Sequence, residues 1–398
     1  MTNSKKTSHK ARRFFYLVGG LIVVAAVVCI IVVSARKFEG TPPVFNLTPP
    51  VESIGPSQSI KGVARDAESG LKRLWFAILQ EENEVVLLDK TFKSTGWLGE
   101  GMVHEYEISL PLDPTSQGLS DGSAIVRVNL SDYSYRNWWD GNRTYKEFPV
   151  IIDTEPPVIE VLSRQHNLNQ GGAGVAIYSL SEPINSSGMW VGDRFFHGYA
   201  GYFDQPNKYV VFFALPHTMG PDIQLYVSAT DLSGNTSKKG ILHHINGKDF
   251  PNDTLHISDP FLRQKMPEFE ASALAGPPPD SLLEKFLAVN RDLRVANYKT
   301  LQEVCKKSDP EKYWAGAFMR LPGSARKAGF ADRRTYMYNG KAVDTQIHLG
   351  IDLASTAHSP VPVANTGRVC FADSLGIYGN TVIIDHGFSL FSMYSHLS

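Results

Sequence analysis

The chain opens on two contrasting blocks. Residues 1–13 include Lys5, Lys6, Lys10, Arg12 and Arg13, and residues 14–35 form an uncharged run, FFYLVGGLIVVAAVVCIIVVSA. About 20 apolar residues cross a bilayer core as a helix, so the run predicts a transmembrane anchor over 14–35. Only Arg36 and Lys37 follow it before Glu39. Basic flanks stay on the cytoplasmic side, which predicts a cytoplasmic tail over 1–13 and everything after residue 36 on the far side. The run exceeds the core of a cleaved secretory signal, and no small-x-small cleavage site follows it. The expectation is an uncleaved single-pass protein of the inner (cytoplasmic) membrane, its C-terminal domains periplasmic or otherwise extracytoplasmic.

Beyond the anchor the hydrophobic period drops to two, as in Ala124-Ile125-Val126-Arg127-Val128 and Leu225-Tyr226-Val227-Ser228. Residues 40–150 and 153–240 read as a tandem repeat. One opens Thr41-Pro42-Pro43-Val44, the other Glu155-Pro156-Pro157-Val158, and they close on Asp132-Tyr133-Ser134 and Asp231-Leu232-Ser233-Gly234-Asn235. Asp, Ser, Asn and Gly favour turns, and Pro suits the entry to an edge strand. Short alternating strands in a repeat of about 100 residues predict two immunoglobulin-like β-sandwich modules and a mainly β chain. Their simplest role is to space a terminal domain from the membrane; binding of cell-envelope proteins is the sharper alternative. Trp138 and Trp139, read as strand neighbours, would point to opposite faces, placing at least one in the core.

Residues 241–280 lose the alternation and end in Gly276-Pro277-Pro278-Pro279, which reads as linker. A short helical bridge is expected over 281–330, starting at the capping pattern Ser281-Leu282-Leu283-Glu284. After Phe330 the alternation of Arg334, Tyr336 and Tyr338 predicts a strand ending in an Asn339-Gly340 turn.

Composition adds exclusions. Lys and Arg number 39 against 40 Asp and Glu, for a net charge of -1, which gives no electrostatic footprint for nucleic acid. The 3 cysteines make no disulfide framework. With Cys29 inside the apolar run, Cys305 and Cys370 could form one bridge or none.

The chemistry concentrates in residues 348–398. His348 and Asp352 stand four apart. On a straight strand their Cα atoms would lie about 13 Å apart, too far to share an ion, but a bend at Gly350 would close the gap. Imidazole with carboxylate suits zinc. Asn380 to Asp385 and Leu390 to Leu397 read as strands joined by a turn at His386-Gly387-Phe388-Ser389, with Ser392, Tyr394 and His396 on one face. His386 reads as a turn or packing residue, His358 as a solvated loop residue, and His243 and His244 as linker.

In order, His348-Leu349-Gly350-Ile351-Asp352, Gly376-Ile377-Tyr378-Gly379-Asn380, Ile384-Asp385-His386-Gly387 and Tyr394-Ser395-His396-Leu397 resemble the M23 (lysostaphin/LytM-type) zinc metallopeptidases. The resemblance implies an antiparallel β domain over 331–398, one Zn2+ held by His348 and Asp352, and a catalytic role for His396. It also implies hydrolysis of peptide cross-links in bacterial peptidoglycan. The family's third ligand comes from an H-x-H motif further along, and this sequence stops at Ser398. The expectation is therefore an incomplete peptidase domain of an otherwise ordinary enzyme. The alternative is a non-catalytic LytM-like regulator of wall hydrolases.

Overall fold

The structure is a computed structural model and describes residues 5–96, 101–270 and 279–398. It is mainly β, 44% strand against 18% helix. The chain divides into two units, Met1–Glu155 with Leu232–Asn235, and Pro156–Asp231 with Thr236–Ser398.

In the first unit a helix spans Lys5–Lys37. Its segment Arg12–Ser34 is long and apolar enough to cross a membrane. Two sheets follow. One runs in the order Ser53–Ile54, Arg143–Ile152, Gly122–Asp132, Leu71–Gln80, Asn83–Thr91; the other runs Val44–Leu47, Gln58–Arg65, Glu105–Leu112. The strand Gly122–Asp132 buries Ala124, Val126, Val128 and Leu130 and turns Ile125, Arg127 and Asn129 away, as the period of two requires. These residues share one core with Phe45, Ile60, Phe76 and Ile152 from both sheets.

The tryptophan pair departs from expectation. Residues Arg136–Trp139 form a single turn, with Asn137, Trp138 and Trp139 at φ of 51, 57 and 74°. Neither Trp is core: Trp138 is 93% exposed and Trp139 60%. Strand alternation does not apply, because the strand ends at Asp132, before the pair.

In the second unit one sheet orders Lys208–Ala214, Ala173–Leu180, Ile159–Val161 and another Arg194–His197, Ile184–Val191, Leu225–Asp231, Thr236–Gly240. Tyr178, Met189, Val211 and Val227 are completely buried between them.

The stretch read as linker carries regular structure. His243–Asn246 pairs in parallel with His166–Asn169, and Asn252–Ile257 pairs in parallel with Asp332–Tyr338. These strands escape a periodicity search because their side chains are mostly polar and exposed; the partner backbone, not an apolar face, recruits them. Gly276, Pro277 and Pro278 lie outside the described residues.

Further on, the cap and turn signals are met, but the helix ends at Val304 and Ala325–Ala328 is a strand, so the expected helical bridge covers only part of 281–330. Ser281 caps the helix Leu282–Ala288 by accepting the Glu284 N–H at 3.1 Å, while Glu284 accepts from Asp280 N at 2.9 Å. Strands Asp332–Tyr338 and Lys341–His348 form a hairpin with Asn339 and Gly340 at φ of 47 and 75°, the left-handed pair of a tight two-residue turn. A last antiparallel sheet orders Arg368–Ser374, Asn380–Asp385, Phe391–Leu397. Gly367 is obligatory beside it, since a Cβ there would come within 2.5 Å of Ile384 and 2.6 Å of the Asp385 carbonyl.

Candidate functional site

His348 closes one strand and Asp352 opens another. His348 lies opposite Asp332 in the hairpin sheet, whereas Asp352 lies opposite Ala328 in a separate pairing of Asp352–Ala354 with Ala325–Ala328. The chain therefore changes sheets across Leu349, Gly350 and Ile351. That bend brings His348 Nε2 to 3.1 Å from Asp352 Oδ1.

Neighbours orient both groups. His348 Nδ1 lies 2.8 Å from the Gly329 carbonyl. A carbonyl only accepts, so Nδ1 carries the proton and, in the neutral ring, Nε2 keeps its lone pair toward Asp352. Arg334 donates to Asp352 Oδ2 at 3.2 Å, leaving Oδ1 facing the histidine. Arg334 was legible as a strand-face residue; its reach to Asp352 was not, because it depends on how two sheets meet.

The pair suits two corners of a zinc site. Two ligand atoms at 2.0–2.1 Å from a tetrahedral ion stand about 3.3 Å apart, close to the observed separation. The donor set, an imidazole whose other nitrogen is spent on a carbonyl plus a guanidinium-held carboxylate, is a common zinc environment. Among the described residues, no third His, Cys, Asp or Glu completes a group within 4.8 Å with this pair. One of the acidic groups that do meet that spacing lies in the first unit, where Glu39, Asp66 and Asp132 are buried together.

His396 sits on the strand Phe391–Leu397, exposed, with φ of 56°. The register shifts here: Asn380 pairs with Leu397 but Val382 with Tyr394. One residue, Thr381, thus faces both Ser395 and His396, and simple alternation from Tyr394 does not carry to His396. Bulges of this kind re-aim a side chain, and the ring lies beside Gly379.

His386 and His358 behave as packing and loop residues. His386 is fully buried, with Nδ1 2.7 Å from the Thr366 carbonyl and Nε2 2.8 Å from Ser392 Oγ. His358 is exposed in a loop. Asp385, also buried, accepts from Ser308 Oγ, Asp309 N and Gly387 N at 2.7–2.8 Å. It ties the segment after Cys305 to the hairpin, a role with no signal in local sequence.

Residues 346–398 match the family model described as Peptidase family M23. The M23 match contains His348, Asp352 and His396 and supports a peptidase kind of activity. Among curated proteins nothing matches the chain. Among solved structures, the I9–I11 tandem from titin is similar at 10% identity and a TM-score of 0.21, over 51% of this chain and 66% of that one.

Proposed function

We propose that this chain is a zinc metalloendopeptidase of the M23 kind that hydrolyses peptide cross-links of peptidoglycan. The observation that carries the reading is the facing of His348 Nε2 and Asp352 Oδ1 within the matched segment. His348 and Asp352 hold the ion. Zinc in such a site acts as a Lewis acid and makes water a nucleophile near neutral pH. Gly329 keeps the imidazole in the tautomer that presents Nε2, and Arg334 keeps one carboxylate oxygen turned away. His396 supplies a general base or an oxyanion donor. The helix over Arg12–Ser34 is the uncleaved anchor, tail inward, and the two β modules, read as immunoglobulin-like sandwiches, carry the peptidase outward from the membrane.

The test is zinc content and release of peptide fragments from purified peptidoglycan by an intact form of the protein in detergent. The expected result is one zinc per chain and cleavage that His348→Ala abolishes. Zinc-dependent cleavage surviving in His348→Ala sinks the assignment.

The regulator reading has one observation in its favour: among the described residues the pair gathers no third ligand. It predicts a chain that binds a wall hydrolase and alters its rate while cleaving nothing itself.

A further inference from the structure

The turn that carries the two exposed tryptophans is bonded to the end of the apolar helix. Tyr135 N donates to the Lys37 carbonyl at 2.7 Å. Ser134 Oγ reaches the carbonyls of Lys37 and Glu39 at 3.3 and 3.0 Å, and Arg136 Nε donates to the Phe38 carbonyl at 3.0 Å. The rings of Phe38 and Tyr135 meet edge to face at 5.9 Å, and Tyr135 and Trp139 lie 4.6 Å apart. Lys72 Nζ holds the far side through the Trp139 carbonyl at 3.0 Å. The turn is therefore tied to the last residue of the helix and to the two residues that follow it.

The apolar span ends at Ser34. At 1.5 Å rise per residue, Lys37 lies about 4.5 Å beyond that end. The headgroup region on each side of the hydrocarbon core is roughly 5–7 Å thick, so the turn is held at headgroup depth. There the molecule exposes Trp138, Trp139 and Phe38, the last at 53%. Trp is the residue that bilayer interfaces select, because its ring is apolar with one polar edge. The backbone also carries a cost: three successive residues other than Gly have positive φ, a strained arrangement that persists only when its surroundings impose it.

We propose that Trp138 and Trp139 are an interfacial foot. They enter the headgroup layer of the leaflet from which the helix emerges and set the orientation of the first β module on the phospholipid surface. The occupant is phospholipid rather than a second protein because the turn is hydrogen-bonded to the residues that immediately follow the membrane span. This rests on the reading of the helix as an uncleaved anchor.

The experiment uses the full chain in nanodiscs of phosphatidylcholine, plain or brominated near the headgroup end of the acyl chains. The emission difference between wild type and Trp138→Phe/Trp139→Phe isolates the pair. Brominated lipid should reduce that difference by about half or more, because rings at headgroup depth lie beside the brominated positions. If the chain is in the disc and the difference is the same in both lipids, the foot is wrong while the anchor stands. A chain that does not stay with the discs overturns the anchor reading and the foot with it. The single variant Trp138→Phe, at the more exposed position, gives the same comparison if the double variant misfolds.

Discussion

Tyr199 stacks on Phe388 with ring centroids 5.0 Å apart and planes 7° from parallel, and its hydroxyl lies 2.6 Å from Ser389 Oγ. Phe388 is 1% exposed and also meets the edge of Trp314 at 5.9 Å. Phe388 and Ser389 both have positive φ, 55 and 59°. A Ser where a turn Gly would be easier thus has a compensating partner. Tyr199 accordingly supports the hairpin that leads to His396.

Removing that support has a graded cost. Phe388→Ala should destabilise the second unit by about 3–5 kcal/mol. Tyr199→Phe, which loses only the hydroxyl contact, should cost about 0.5–1.5 kcal/mol. Thermal or urea unfolding of the two variants measures both; equal effects would mean that the stacking contributes nothing.

Arg334 should matter for zinc without touching it. Its hydrogen bond to Asp352 Oδ2 orients the carboxylate, and loss of such a neighbour typically weakens metal binding about 10–100-fold. Arg334→Met should therefore raise the zinc dissociation constant, read by competition with a chromophoric chelator, and leave the unfolding midpoint of the zinc-free chain nearly unchanged. Unaltered zinc affinity would show that Arg334 only decorates the surface.

The buried acids of the first unit predict a pH dependence. Burial raises the Glu39 and Asp66 carboxyls above their ordinary range, and the negative charge of Asp132 adds to both. A folded-state pKa above the unfolded one means that the native state binds more protons between the two values. The stability from these groups is fully present below about pH 4 and is lost as pH rises through the raised values. Asp66→Asn should consequently stabilise the first unit at pH 7 relative to wild type and give little or none of that gain at pH 4. Unfolding midpoints across that range, with the same difference at both ends, would contradict the argument.

Cys305 should be a slow thiol. Burial pushes it up to about 11. Against an ordinary cysteine near 8.5, its thiolate fraction at pH 8 is lower by a factor on the order of 100. Timed alkylation with mass-spectrometric readout should find Cys305 modified slowly in the folded chain and rapidly in urea. Equal rates in the two states would remove the burial argument.

Much of the framework was legible in the residues themselves. The uncharged length of 14–35, the Asn339-Gly340 turn and the cap at Ser281 each depend on backbone and side-chain terms acting within a few positions. So does the permission Gly350 gives for a bend. The alternation in Gly122–Asp132 marks its buried face because period two is a property of the strand alone. What tertiary structure decided lies between residues far apart in sequence. It brought Gly329 and Arg334 to the His348–Asp352 pair, buried His386 against Thr366 and Ser392, and shifted register at His396. It also recruited polar 252–257 into a sheet and left both tryptophans outside the core. Those outcomes depend on which surfaces pack and which backbones pair, and no local pattern of apolar and polar positions encodes that choice.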